Sequence, residues 1–407
     1  MTASRPASRV EAARLTAAGL RVCMLATDVD GGGGVARQSY ALLRRLSEAG
    51  VQTTLYVRNY SGKPRLELRN GTTIRRAPVI GRFRFLNAAL YLVYAGLWLV
   101  RNRRQYDVVH AQQMSGAAIV GLLARRVTGA PLLIRVTSSG ESGEVSEVGR
   151  LPLARIRRRL LRTADRWVAL TRAMKEELVE FGVPPQRIAV IPNGSELPEG
   201  PSHDAAVRSA ARDRLGLPQG RIVLYAGRLS SEKGLECLLR AWARIEAEEE
   251  GAWLLLLGAG GAYRSVEAEL RALAADLRLA RVRFCGHVSN VGEHLLASDV
   301  FVLPSRTEGM SNALVEAMGA GIAIVASDIP ANREILANEE NALLFPPDDE
   351  DALVLALRRL FVDPALALRL AAAARAHAER ELSATVMAAR YLEQYASMVR
   401  EKPMRDR

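Results

Sequence analysis

Cysteine is scarce: the 407 residues contain three, Cys23, Cys237 and Cys285, and none stands at metal-ligand spacing. Two of them sit in or beside strand-like runs, so they read as reduced core or near-core residues, and no structural disulfide is expected. Aromatic residues make up only 5%. With no zinc-finger spacing, helix-turn-helix or aromatic–basic RNA motif, nucleic acid is set aside as a partner. The net charge of +12 and the pI near 10.1 still favour some anionic partner. The first twenty residues lack an apolar core of the secretory type, so residues 1–20 read as a flexible arm and the protein as cytoplasmic. No metal is expected, because Arg228 and Lys233 can take the place of a cation. The five histidines offer little acid–base chemistry. The longest mostly apolar stretch, Phe85–Val100, has sixteen residues, fewer than the roughly 20 that a membrane-spanning helix needs.

What is present is the pattern of an α/β protein. The chain length suits two domains of roughly 180–200 residues each, and 49% hydrophobic with 25% charged residues describes a globular protein. Short apolar runs that suit buried parallel strands recur: Arg21–Ala26, Val51–Val57, Asp107–His110, Pro131–Val136 and Trp167–Leu170. The second half adds Arg221–Gly227, Trp253–Leu257, Val282–Gly286, Val300–Leu303 and Ile322–Ser327. Between the halves, Leu197–Ser202 carries Pro, Gly and Ser and reads as a hinge.

Several of these strands end in loops that carry chemistry. After the first, the run Gly31–Gly34 lets backbone approach a ligand closely, and the following helix turns its amide end toward it. It is not a dinucleotide fingerprint, because the spaced third glycine is missing. After Arg221–Gly227, Arg228 and Lys233 stand five apart, close enough to reach one diphosphate; the plain alternative is a surface loop with two ordinary bases. After Val300–Leu303 comes PSRTEGMSNALVEAM, Pro304–Met318. Ser311 or Asn312 caps a helix there, whose first-turn amides attract an anion, and Glu308 and Glu316 bracket the turn. His110 closes its strand at the end where open α/β sheets bind ligands. The loop Thr137–Gly143, rich in hydroxyls, suits a polar acceptor or is a mobile solvent loop. Two basic, partly apolar segments read in two ways, as packed or solvated helices or as helices resting on an anionic membrane surface. They are Phe85–Val100, flanked by Arg82, Arg84, Arg101, Arg103 and Arg104, and Arg155–Arg166.

Taken in order, these motifs resemble retaining glycosyltransferases of family 4, the glycosyl transferases group 1. The likeness rests on Glu308 and Glu316 with seven residues between them, on Gly227–Gly234 (GRLSSEKG), on Ile191–Gly194 (IPNG), on Gly33–Gly34 and on Asp107–His110 (DVVH). The resemblance implies an α/β GT-B fold of two facing Rossmann-like domains with the active site in the interdomain cleft. Residues 21–198 would form the acceptor-binding domain, 199–384 the nucleotide-sugar domain, and 385–407 a helix returning to the first. It assigns catalytic roles to His110, Arg228, Lys233 and Glu308. Donor binding falls to Gly33, Gly34, Arg228, Lys233, His287, Val288, Glu308, Gly309, Met310, Ser311, Asn312, Leu314 and Glu316. In this scheme Arg228 and Lys233 hold the diphosphate, Glu308 meets sugar hydroxyls, and Glu316 binds the ribose diol. One position departs from the pattern: where many members carry a second histidine, this chain has Gln112. Glutamine exchanges no proton, so either His110 serves or the site relies on hydrogen bonds and the donor's own phosphate as base.

The expected function is transfer of a sugar, with retention, from a nucleoside diphosphate sugar to a hydroxyl of a polar or lipid-linked saccharide, in polysaccharide or glycolipid biosynthesis. No metal and no further cofactor are expected, and the location is cytoplasmic or peripheral on the inner face of the plasma membrane. Two alternatives stand beside it. A nucleotide-sugar epimerase of the same fold needs acid–base groups on the donor itself, and a non-catalytic nucleotide-sugar or lipid-binding protein needs no such set as Arg228, Lys233, Glu308 and Glu316.

Overall fold

A computed structural model describes residues 19–401 apart from 28, 30–32, 61, 82, 139, 141–142, 152, 198–204 and 261–264. Outside the described residues lie most of the expected arm, Gly31 and Gly32 of the glycine run, Arg82, Ser139, Glu141 and Ser142 of the hydroxyl loop, and nearly all of the expected hinge. The chain divides into two compact units: unit 1 is Met1–Gly194 with Ala384–Arg407, and unit 2 is Ser195–Ser383.

Unit 1 is built on eight strands: β1 (Arg21–Leu25), β2 (Gln52–Arg58), β3 (Leu66–Arg69), β4 (Thr72–Ala77), β5 (Val108–Ala111), β6 (Leu132–Arg135), β7 (Arg166–Ala169) and β8 (Ile188–Val190). Their order is β3-β4-β2-β1-β5-β6-β7-β8. All neighbours pair in parallel except β3 and β4. That hairpin, which the sequence reading did not anticipate, turns on Asn70 and Gly71 at φ 49° and 75°, the positive-φ pair that a two-residue connection favours. The central strands are buried on both faces, which is why they read as unbroken apolar runs. The helix Ala384–Arg400 belongs to this unit: Met387, Tyr391, Tyr395 and Met398, spaced four, four and three apart, join the core formed with β1, β5 and the helix Gly34–Glu48.

Both basic segments of unit 1 form helices. Phe85–Val100 falls within Arg84–Arg101, where Tyr91, Ala95 and Leu99 are fully buried at four-residue spacing while Val93, Tyr94 and Leu97 are exposed. Among the described residues no helix is long and apolar enough to cross a membrane. In the second segment, Arg158 donates to the carbonyls of Glu180 and Phe181 and Arg162 to that of Gly182. These arginines satisfy carbonyls at the end of the helix Arg172–Phe181, so part of that basic run is structural.

Unit 2 has six strands, β9 (Ile222–Ala226), β10 (Trp253–Leu257), β11 (Val282–Gly286), β12 (Val300–Leu303), β13 (Ala323–Ser327) and β14 (Leu343–Phe345). They are all parallel, in the order β11-β10-β9-β12-β13-β14. The order reverses between β9 and β12, where Val223 pairs with Val300. Helices then leave to opposite faces, and a crevice opens at the carboxyl ends of these two strands. Unit 1 has the same reversal between β1 and β5.

Candidate active site

In unit 2 the reversal brings two sequence motifs together. The loop after β9 carries Arg228 and Lys233, and the loop after β12 carries Glu308. Lys233 Nζ lies 2.8 Å from Glu308 Oε1, with the two side chains 12% and 10% exposed. Ser305 Oγ donates to the same carboxylate oxygen at 2.8 Å. A glycine holds the two loops in contact: Gly234 has φ +63°, and a Cβ there would stand 2.1 Å from the carbonyl oxygen of Pro304. Arg228 extends into solvent and pairs with Glu232 at 3.1 Å. Burial pushes the Glu232 carboxyl up, but hydrogen bonds of its loop and the charges of Arg228 and Lys233 hold it below its ordinary value. In contact terms the two cations of this loop rest on different carboxylates, Arg228 on Glu232 and Lys233 on Glu308. Beneath them Tyr225 donates to the carbonyl of Arg228 at 2.8 Å. Burial first, then the charge of Glu308, keeps its phenol protonated far beyond the usual range.

The helix after β12 runs Asn312–Ala320, and of the two candidate caps it is Ser311 whose hydroxyl accepts from the amide of Leu314, at 3.3 Å. Gly309, Ser311, Asn312 and Glu316 are half-buried at this end. Met310 is 8% and Leu314 1% exposed, so the Leu314 side chain is core and its amide is taken by the cap. His287, exposed, and Val288, half-buried, follow β11 at the same edge.

In unit 1, Gly33 caps the helix Gly34–Glu48 at φ −68°, a conformation any residue adopts, and a Cβ there would meet no atom of the described residues beyond its chain neighbours within 4 Å. Among the described residues nothing demands a glycine at that place. His110 differs from expectation. It is fully buried, its Nδ1 lies 2.7 Å from the hydroxyl of Tyr395, and its ring stacks on Tyr391 at 5.3 Å. Burial and then the charge of Arg135 push it down to about 3, so the imidazole is neutral across the physiological range. A proton-exchanging role at a substrate, as the sequence reading assigned, does not suit an enclosed, neutral ring whose accessible partner is a tyrosine of the C-terminal helix.

Gln112 is likewise fully buried, and it accepts at Oε1 from Arg135 Nη1 at 2.8 Å. Arg135 Nη2 donates to Asn193 Oδ1 at 2.5 Å. Asn193 belongs to the IPNG turn that the sequence motif marks, whereas Arg135 has no role in the sequence expectations, although an arginine inside the apolar run PLLIRV is a visible signal. Glu144 was missed too. It accepts from the amides of Met114 at 2.6 Å and Thr137 at 2.9 Å, tying the loops after β5 and β6 together. Burial pushes its carboxyl up against the pull of those bonds. Beside it lies a cavity of ≈ 180 Å³ lined by Gln113, Ser115, Ile119, Glu147, Arg157 and Leu161, among others.

Comparison with known proteins gives the family and the fold. Residues 32–197 match the family Glycosyltransferase Family 4, and residues 220–363 match Glycosyl transferases group 1. The D-inositol 3-phosphate glycosyltransferase of Xylanimonas cellulosilytica is 30% identical over 394 residues, 89% of this chain and 91% of that protein. The D-inositol 3-phosphate glycosyltransferase 1 of Catenulispora acidiphila is 31% identical over 356 residues, 82% of this chain and 84% of that one. Among solved structures, Anabaena HepE in complex with UDP and glucose superposes with a TM-score of 0.76 at 18% identity, covering 93% of this chain and 100% of its own. Sucrose-phosphate synthase of Thermosynechococcus elongatus does so with 0.75 at 23% identity, covering 93% and 99%. These likenesses give the fold as GT-B, and with the sequence relatives they place the chain in the family 4 (group 1) glycosyltransferases.

Proposed function

We propose that this glycosyltransferase binds a nucleoside diphosphate sugar on unit 2 and transfers the sugar, with retention, to a hydroxyl of an acceptor held on unit 1. The observation that carries this reading is the Lys233–Glu308 pair at 2.8 Å across the β9/β12 reversal, with Arg228 on the same loop as Lys233. Bound donor places its diphosphate by Arg228 and Lys233 and its sugar hydroxyls by Glu308. The anomeric carbon–oxygen bond to the diphosphate breaks, a bond to the acceptor oxygen forms on the same face, and the acceptor proton leaves on the diphosphate. That route needs no histidine, which suits the enclosed His110. The two cations are most valuable once negative charge has grown on the leaving oxygen. Gly33, with open space over it, lets backbone approach the ligand, and the cavity beside Glu144 suits a polar acceptor. The named relatives use D-inositol 3-phosphate, and a phosphorylated or lipid-linked polyol or saccharide is the acceptor class in view.

Thermal-shift measurements with UDP-, GDP- and ADP-sugars test the donor assignment, since a ligand bound only by the native state raises the melting point. One nucleotide class is expected to raise it, unchanged by EDTA; no shift with any donor refutes the reading. We also place the chain at an anionic membrane surface through the exposed Val93, Tyr94 and Leu97 with the arginines flanking that helix. Flotation with phosphatidylglycerol liposomes at low salt should carry the protein upward, and half a molar salt should release it. Protein that stays at the bottom of the gradient at low salt rules this out.

A further inference from the structure

Among the described residues the other buried arginines are neutralised by carboxylates. Arg76, whose side chain is 0% exposed, pairs with Glu67 at 2.8 Å, and Arg212, 8% exposed, pairs with Asp299 at 2.6 Å. Arg135 is the exception. The residue is 2% exposed, its two terminal nitrogens go to the neutral amide oxygens of Gln112 and Asn193, and no carboxylate among the described residues pairs with it. Its Nε is buried with no hydrogen-bond partner. The charged neighbour that acts on it, Glu144, has both oxygens engaged by Met114 and Thr137. An unpaired buried cation is costly, and amide partners orient a guanidinium without cancelling its charge. Gln112, Arg135 and Asn193 stand at or just beyond the carboxyl ends of β5, β6 and β8, the edge of unit 1 where an open α/β sheet takes its ligand.

We infer that Arg135 makes unit 1 select an acceptor that carries an anionic group, a phosphate ester or carboxylate. This rests on the glycosyltransferase reading and adds to it the residue that selects an anionic acceptor over a neutral one. Arg135 is a positioning residue: Gln112, whose Oε1 accepts from it and whose Nε2 donates to Met24 Sδ at 3.0 Å, only holds the guanidinium in place, and its charge acts on the anion through a medium of low dielectric, where one unit charge counts for far more than in water.

The test is kcat/KM at saturating donor for three acceptor pairs: glucose 6-phosphate and glucose, D-inositol 3-phosphate and inositol, glycerol 3-phosphate and glycerol. The wild-type chain, Arg135→Gln and Arg135→Lys are compared. Wild type should favour the phosphorylated member of at least one pair by about tenfold or more. Arg135→Gln should reduce that preference to within about threefold, chiefly through KM, and Arg135→Lys should keep most of it. If Arg135→Gln does not fold, the wild-type preference is followed from pH 5.5 to 7.5, where it should grow as the phosphate ester takes its second charge near pH 6. Equal use of both members, a preference untouched in Arg135→Gln, or a flat pH profile overturns the inference. Donor-induced stabilisation of the wild type, measured in parallel, separates the outcomes. If the donor shift is present and the preference absent, only the inference fails; if the donor shift itself is absent, the underlying reading fails.

Discussion

Lys233→Ala is expected to lower kcat about 10²–10³-fold, the loss that follows removal of one preorganised group facing developing negative charge. The ammonium sits where two demands meet. It neutralises Glu308 at 2.8 Å, and under the proposed chemistry it faces the diphosphate as the anomeric bond breaks. Stability should fall much less, by about 1–3 kcal/mol. That is under the figure for a fully buried pair, because both side chains keep some solvent and Glu308 keeps the Ser305 hydroxyl at 2.8 Å. The double variant Lys233→Ala with Glu308→Gln should recover most of the melting temperature and none of the turnover, since it removes the stranded carboxylate without returning a cation. Steady-state kinetics beside a thermal melt separate the two effects. A fall in kcat of less than about threefold for Lys233→Ala would show that the leaving group is stabilised elsewhere.

The elements that carry this prediction were legible in the sequence for a local reason. β9 and β12 are short apolar runs followed at once by polar loops, and helix-start chemistry at Ser311 shows in a window of a few residues. That Lys233 and Glu308 touch was not legible, because it depends on β9 and β12 being neighbours, a property of strand order over 75 residues of separation. The same holds in unit 1. His110 was read as a strand-end histidine facing a ligand, but Tyr395, 285 residues away, covers it, and only the packing of the C-terminal helix reveals that. Arg135 was passed over since its strand otherwise reads as core, and its partners Gln112 and Asn193 lie 23 and 58 residues off. The β3–β4 hairpin is a different kind of miss. Its Asn70–Gly71 signal is local and was there to be read.

Two glycines should give opposite signatures, and the contrast tests how the candidate site is built. Gly234 carries φ +63° and sits so close to Pro304 that an added Cβ would stand 2.1 Å from its carbonyl oxygen. Gly234→Ala meets left-handed strain of about 1 kcal/mol and an overlap of the kind that costs about 1–3 kcal/mol in packed interiors. The backbone must shift where the phosphate loop rests on the Glu308 loop. The unit 2 melting transition should therefore fall by roughly 5–15 °C, and turnover should fall even in the cold, where the protein is folded, because Lys233 and Glu308 lose register. Gly33 has φ −68°, and beyond its chain neighbours no described residue comes within 4 Å of the same added carbon. Gly33→Ala should leave the melting temperature within about 1 °C, the expectation for a surface change that disturbs no contact. It should nonetheless depress kcat/KM, because the methyl group fills space that the proposal gives to substrate. Calorimetry and kinetics on both variants decide the matter. Unchanged kinetics for Gly33→Ala would remove the glycine loop from the site, and an unchanged melt for Gly234→Ala would mean that the contact between the two loops of unit 2 is slack enough to yield without loss.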